Sequence, residues 1–431
     1  MYLLYSALLA VTLVLGSPYW LYQMLRYGKY RKGLTERLGI VPSRLGNNGR
    51  TSIWVHAVSV GEVLAVSELV RRLRAEFPRQ RVVISTTTDT GQALARKLFG
   101  AENVFYFPLD FKFAVRRWML ALRPELAVIA ETEFWPNFLR SAKECAAHVA
   151  IVNARISDRS RPGYRRWRGI LRRVLANVDV FVTQTPEDLR RLVEIGAPEE
   201  RVFVGGNLKY DVACPAPAAI VGELRNSSSR SGAGPVLVCG STVEGEEPVL
   251  IDAFKEVLAR YSGAVMVLAP RHPQRFDEVA VLLGGLGVPF QRRSEWNGEG
   301  LKGSVLLVDS IGELSSLYAL ADVAFVGGSL VARGGHNIIE PAQHGTAIVV
   351  GPHTENFREI VGLFQSRDAV RVVESAGLAA EFVRLLANDV ERRGLGQRAA
   401  ETLLSQQGAT EFTLAKLKGL LAERSPEATL A

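Results

Sequence analysis

From Ser52 onward short apolar runs rich in Val and Ile alternate with amphipathic stretches of helical period. SIWVHAVSV is followed by GEVLAVSELVRRLRAEF and RVVISTT by GQALARKLF, and ELAVIAE, HVAIVNA, VDVFVTQ and RVFVGG continue the rhythm. Short branched runs that do not alternate with polar residues read as strands buried on both faces, so the pattern predicts βα units around a parallel sheet. The rhythm lapses at ACPAPAAIVGELRNSSSRSGAG, rich in Pro, Ala, Ser and Gly, which predicts a linker over 213–234. It resumes with PVLVCGST, AVMVLAP, SVLLVDS, DVAFVGGSL and TAIVVGP. The expected fold is therefore α/β, with two Rossmann-like domains, over 33–212 and 235–431, facing each other across a cleft. Ligands of such sheets sit beyond the carboxyl ends of the strands, which directs attention to the residues after each run.

The first 25 residues lack charged side chains, and Arg26, Lys29, Arg31 and Lys32 follow at once. This stretch reads as an uncleaved membrane anchor, 1–25. At about 1.5 Å per residue a helix of this length could cross a hydrocarbon core of roughly 30 Å. Alternatively Gly16-Ser17-Pro18 breaks it into a shorter insert and an interfacial Tyr19-Trp20-Leu21-Tyr22 segment. A cleaved signal peptide fits less well, because neither a basic n-region nor an A-x-A site is present. The basic residues after the apolar stretch place the body of the protein in the cytoplasm.

Composition narrows the partners. A chain of 431 residues is long enough for two cores, and 52 Lys+Arg against 44 Asp+Glu leave a formal charge of +8. Nucleic acid, an anionic membrane surface and a phosphorylated substrate all suit that charge. The basic-aromatic stretch Tyr164–Arg173, YRRWRGILRR, fits lipid as well as nucleic acid, and the anchor favours lipid. Cys145, Cys214 and Cys239 lie far apart and form no C-x-x-C pair, as in a reducing compartment.

The candidate chemistry follows the strands. AFVGGSLVARGGHNIIEPAQHG, Ala324–Gly345, reads as a strand, a double-glycine turn, a second glycine pair and a helix carrying Glu340. Glycines admit a ligand close to the backbone, N–H groups at a helix start favour phosphate, and a carboxylate there can accept from sugar hydroxyls. Ser59-Val60-Gly61-Glu62 has capping-box spacing; its carboxylate could also accept a proton if it turns toward the cleft. Glu131 and Glu133 end a strand, Lys209 follows RVFVGGN where an ammonium could stabilise developing charge, and Arg271 in PRHP is suited to a phosphate. Gly298 to Gly303 fits G-x-G-x-x-G but precedes a strand, so it is not a dinucleotide fingerprint. His336, Glu340 and His344 have the spacing of metal ligands on one helix face, but Pro341 and the preceding glycines argue for a nucleotide instead.

In this order HAVSVGE, ETEFWPN, NARIS, NLKYD, PRHP, GEL and GGSLVARGGHNIIEPAQHG resemble the bacterial 3-deoxy-D-manno-octulosonic acid (Kdo) transferases, which act on lipid A precursors. The resemblance runs from the anchor almost to the C-terminus. It implies a GT-B fold, CMP-Kdo as donor, lipid IVA as acceptor, and inversion at the anomeric carbon in lipopolysaccharide biosynthesis at the inner membrane. It implies neither a metal nor another cofactor, and a single-phosphate leaving group needs no metal to bridge a diphosphate. Glu62 looks like the general base, and Glu131 and Lys209 match transition-state stabilisers. Pro270 and Arg271, Gly312, Glu313 and Leu314, and Asn337, Ile338, Ile339 and Glu340 match CMP-binding segments. The other readings are a GT-B enzyme using a UDP-sugar, a nucleotide-sugar epimerase, and a non-catalytic tethered anion-binding protein.

Overall fold

A computed structural model describes residues 1–27, 31–46, 49–212 and 218–422; Lys29, Cys214 and the chain after 422 lie outside these. The first sheet contains β1 (Ser52–His56), β2 (Arg81–Thr86), β3 (Val104–Tyr106), β4 (Pro124–Ala130), β5 (His148–Ala154), β6 (Val180–Thr183) and β7 (Val202–Val204). Their order is β3-β2-β1-β4-β5-β6-β7, with every pair parallel. The second contains β8 (Val236–Thr242), β9 (Val265–Pro270), β10 (Phe290–Arg292), β11 (Val305–Leu307), β12 (Val323–Val326), β13 (Ala347–Val350) and β14 (Arg371–Val372). Its order is β10-β11-β9-β8-β12-β13-β14, again all parallel.

The unbroken apolar runs arise because helices cover both faces of each sheet. In β1 Trp54 joins Val83, Ile129 and Phe181 in one core layer, while Ile53 and Val55 join Ile84, Val128 and Val152 in another. Alternate side chains of a strand point to opposite faces, so one run feeds two cores. The direction of winding reverses between β1 and β4 in the first sheet and between β8 and β12 in the second. The loops after these strands are therefore pushed apart at a switch point, where a ligand can enter.

Three expectations need correction. The chain divides into one compact unit of Met1–Val212 with Gln406–Ala431 and another of Ala213–Ser405, so the C-terminal domain does not run to 431. The helix Ala409–Ala422 buries Ala409, Leu414 and Leu417 in the same core layer as Leu69 and Leu73 of the first unit. Asp211 fixes its start by accepting the Gly408 N–H at 2.8 Å and also the Thr410 N–H, and Lys418 pairs with Glu76 at 2.8 Å. An amphipathic pattern says that a helix buries a stripe but not on which sheet.

The expected linker over 213–234 contains the helix Ala219–Ser231, which buries Ile220, Val221 and Leu224 in the second unit. Arg225 and Ser227 on it donate to the carbonyls of Ala319 and Glu299. Finally, Gly16-Ser17-Pro18 does not break the first helix, which runs continuously over Tyr2–Tyr27. Pro18 has no N–H to give to the preceding turn, and the Ser17 hydroxyl bonds to the Val14 carbonyl at 2.7 Å instead.

Leu417 is fully buried, so Leu417→Ala is expected to destabilise the N-terminal unit by about 2–4 kcal/mol. Hydrogen exchange read by mass spectrometry should show faster exchange in β1, β4 and β5 and unchanged exchange in β8, β9 and β12; the reverse distribution would refute the assignment of this helix.

Candidate active site

In the N-terminal unit the β1 loop leads into the helix Val60–Ala65, capped by Ser59. Half of the capping box forms, the Ser59 Oγ accepting the Glu62 N–H at 3.5 Å; the Ser59 hydroxyl donates to Glu62 Oε1 at 2.9 Å, and the Val58 N–H, not that of Ser59, donates to Oε2 at 2.8 Å. Each oxygen accepts one bond from these groups and keeps further lone-pair capacity. Burial raises the Glu62 pKa and the Glu131 charge adds to this, while the two hydrogen bonds and Lys209 oppose it. Capping and basicity are thus compatible, since desolvation outweighs the bonds that hold the carboxylate. Gly61 leaves space beside it, because a Cβ there would meet only Ser59 Oγ, at 3.9 Å. Beneath the loop His56 bonds through Nδ1 to Ser85 Oγ at 2.9 Å and stacks on Phe107 at 3.9 Å. Burial pushes its pKa down to about 3, so it supports the loop as a neutral ring.

Glu131, immediately after β4, has left-handed backbone at φ 56°. Such a conformation costs a branched-chain or acidic residue about 1–3 kcal/mol and turns its side chain out of the strand's alternation. Its two carboxylate oxygens face Lys209 Nζ and Arg155 Nε, each at 3.6 Å. Lys209 is placed by a relay from the neighbouring strand: Asn153 Oδ1 accepts the Leu208 N–H at 3.0 Å, and Asn207 accepts the Lys209 N–H at 3.0 Å. Asn153 also has left-handed backbone, φ 55°. Glu133 completes the group; burial first, then the charges of Glu62 and Glu131, push its pKa up to about 7. Glu62, Glu131, Glu133, Lys209 and Arg155 are therefore electrostatically coupled at one end of this sheet.

In the second unit Pro270 ends β9 and Arg271 follows it, exposed. Arg271 lies within electrostatic reach of His336 and Glu340. Burial raises the Glu340 pKa, with Arg271 and a hydrogen bond to Asn337 opposing it. Asn337 also accepts the Ile339 N–H at 3.1 Å, so it organises the start of Ile339–Gln343, whose first turn tolerates Pro341. Ile338 and Ile339 are buried beneath it. His344 turns away to the Ser315 carbonyl at 2.8 Å, whereas the His336 ring lies over Gly328. Gly312 has φ 98° and open space around it. Glu313, just before the helix Leu314–Leu317, is paired with Arg293 at 3.0 Å and with the Ser310 hydroxyl.

The double-glycine turn itself is not open to an anion. Glu246 is fully buried and accepts the N–H groups of Val243, Gly328, Ser329 and Leu330 at 2.8–3.0 Å. Gly327 is required beside it, because a Cβ would stand 2.6 Å from the Ser241 carbonyl and 2.8 Å from Glu246 Oε2. The sequence shows GSTVEGEE but does not tell that Glu246 and Glu247 are interior while Glu244 is exposed. Asn153 and Arg155 fall in the NARIS motif without a signal of what they hold, and Glu246 is marked only by its position after β8.

The family described as 3-deoxy-D-manno-octulosonic-acid transferase (kdotransferase) matches residues 32–212. The 3-deoxy-D-manno-octulosonic acid transferase of Haemophilus influenzae is 34% identical over 401 residues, 91% of this chain and 92% of its own. That of Bordetella pertussis is 37% identical over 402 residues, 88% of this chain and 91% of its own. Among solved structures, UDP-GlcNAc 2-epimerase from Neisseria meningitidis bound to UDP-GlcNAc has a TM-score of 0.57 at 11% identity, over 86% of this chain and all of that one. A likeness at that identity speaks for the two-unit GT-B type fold and not for the reaction. With relatives this similar along nearly its whole length, the chain belongs to the Kdo transferase family of glycosyltransferases.

Proposed function

We propose that this protein transfers Kdo from CMP-Kdo to lipid IVA with inversion, at the inner membrane and on its cytoplasmic side. The observation that carries the reading is Glu62, a buried carboxylate of raised pKa coupled to the Glu131–Lys209 pair. Glu62 takes the proton of the acceptor hydroxyl as its oxygen attacks the anomeric carbon of Kdo; the bond from that carbon to the CMP phosphate breaks, and the electron pair leaves with CMP. Glu131 holds the Lys209 ammonium in place to stabilise the charge that develops.

On the donor side Arg271 takes the phosphate and Glu340 accepts from ribose hydroxyls, with Pro270, Gly312, Glu313, Leu314, Asn337, Ile338 and Ile339 shaping the CMP pocket. Glu246 supports this pocket from beneath by fixing the turn that precedes it. The acceptor carries two phosphates and the donor sugar a carboxylate, and the excess of Lys and Arg favours their encounter with the protein. The exposed face of Arg161–Leu175, with Arg165, Arg166 and Arg168 around Trp167, suits an anionic lipid surface rather than nucleic acid.

Mass spectrometry of lipid IVA after incubation with CMP-Kdo tests the reading directly, through mass increments equal to transferred Kdo. An isomerised donor without acceptor, or stabilisation by UDP and not CMP, would overturn it. Glu62→Gln is expected to lower kcat by about 10²- to 10⁴-fold while CMP still raises the melting temperature; near-normal turnover would reject Glu62 as base.

The activity of a base requires its ionised form, so the raised pKa of Glu62 sets an acid limb above the ordinary carboxylate range. Removing a like charge lowers that pKa and removing an opposite charge raises it. The acid limb of kcat/KM should accordingly move to lower pH in Glu131→Gln and to higher pH in Lys209→Met, apart from the drop in rate that each causes. Glu246→Gln places an amide N–H against two of the four backbone donors, and a loss of about 1–3 kcal/mol should appear as a raised donor KM and weaker CMP binding.

A further inference from the structure

Two adjacent carboxylates at the start of the helix Glu247–Arg260 serve different loops. Glu246 reaches the turn after β12. Glu247, also fully buried, reaches the segment after β9 instead: its Oε1 accepts the Thr242 hydroxyl at 3.0 Å and the Arg275 guanidinium at 2.5 Å. Its Oε2 is buried and meets no partner among the described residues. A buried carboxylate with one empty oxygen depends on its single cation, so this pair is costly to break and fixes where Arg275 lies.

Strand order explains the division of labour. β8 lies between β9 and β12, and the helix starts just beyond the end of β8. Consecutive side chains there diverge by roughly 100°, one toward each neighbouring strand. A bulge in β8 completes the arrangement. Gly240 pairs with Ala269 and Thr242 with Pro270, so Ser241, with left-handed backbone at φ 56°, is the extra residue. Such a bulge re-aims the side chain that follows it. Thr242 thereby turns its hydroxyl to Glu247, while its carbonyl accepts the Arg271 N–H at 2.9 Å.

The segment from Arg271 to Arg275 is thus held at both ends, by the Arg271 N–H on Thr242 and by the Arg275 guanidinium on Glu247. Within it the Arg275 N–H donates to the His272 carbonyl at 3.0 Å, closing the short turn Pro273–Arg275. The two arginines of the segment are therefore unlike. Arg275 is largely covered and also faces Glu278 at 3.4 Å, whereas the Arg271 side chain is exposed.

We propose that Glu247 and Arg275 are positioning residues, whose buried pair holds the segment after β9 so that Arg271 presents its guanidinium to the single phosphate of the donor. This rests on the assignment of Arg271 to that phosphate. A guanidinium recognises phosphate through a rigid fork of donors, so displacing its backbone loses bonds that its charge alone does not replace. Glu246 and Glu247 then tie to one helix start the loop carrying Arg271 and the glycine turn that precedes Asn337 and Glu340.

The test measures the binding of CMP and of cytidine to the full chain by titration calorimetry. Arg275→Met alone strands a buried carboxylate and is expected to unfold the C-terminal unit, so the variant used is Glu247→Gln with Arg275→Met, in which the amide oxygen still accepts from Thr242. It should bind CMP about 5- to 20-fold more weakly and cytidine with unchanged affinity, because cytidine has no phosphate for Arg271 to take. Arg275→Lys, which keeps the charge, should recover most of the loss. In an Arg271→Ala background the double change should weaken CMP no further, since its effect runs through that side chain. Equal weakening of CMP and cytidine would reveal general damage to the unit and overturn the proposal. So would unchanged CMP binding, or a full additional loss in the Arg271→Ala background. An Arg271→Ala variant that binds CMP normally would overturn the phosphate assignment and the proposal with it, and this single variant tells the two failures apart.

Discussion

A parallel strand covered on both faces keeps only polar side chains that find partners inside the core, as His56 does with Ser85, so it presents chemistry to a ligand only where it ends. This constraint governs both units. In β1 Ile53, Trp54 and Val55 are completely buried, and the first groups able to meet a substrate are Ser59, Gly61 and Glu62 in the loop beyond. The reversal of winding between β1 and β4 keeps that loop clear of the next one, and Glu131 enters the same region from the neighbouring strand.

Backbone conformation at the strand ends carries the second part of the design. Glu131, Asn153 and Ser241 all have left-handed φ near 55°, where glycine would sit more easily. Retaining a side chain there has a use in two of the three cases: Glu131 holds Lys209 and Arg155, and Asn153 holds the backbone that carries Lys209. The strain is offset by buried hydrogen bonds, among them the Glu131 N–H to the Val152 carbonyl at 2.9 Å. In the second unit a buried carboxylate does the equivalent work. Glu246 gathers four N–H groups, three of them from Gly328 to Leu330, and so fixes the turn after β12.

Much of this was legible in the chain. Periodicity locates the strands, and the rule that ligands collect beyond their carboxyl ends points to Glu62, Glu131, Lys209, Arg271 and Glu340. What could not be read was partnership. The return of Ala409–Ala422 to the first unit depends on Asp211 and on the Leu69–Leu73 stripe, neither of which announces itself in a helix of ordinary composition. The same holds for the helix Ala219–Ser231, hidden in a stretch whose Pro, Ser and Gly content reads as linker.

The sequence by itself determined the class of fold, the places where chemistry could stand and the family resemblance, because these follow from local pattern: apolar runs, glycine turns and ordered motifs. Tertiary structure alone decided which charges meet. Whether Glu62 is a cap or a base depends on its desolvation beside Glu131 and Lys209, which lie far from it in the chain. Whether Glu246 or a ligand fills the glycine turn depends on contacts between residues 246 and 328–330. Electrostatic coupling falls with distance in space, and distance in sequence carries no information about it until the sheet is formed.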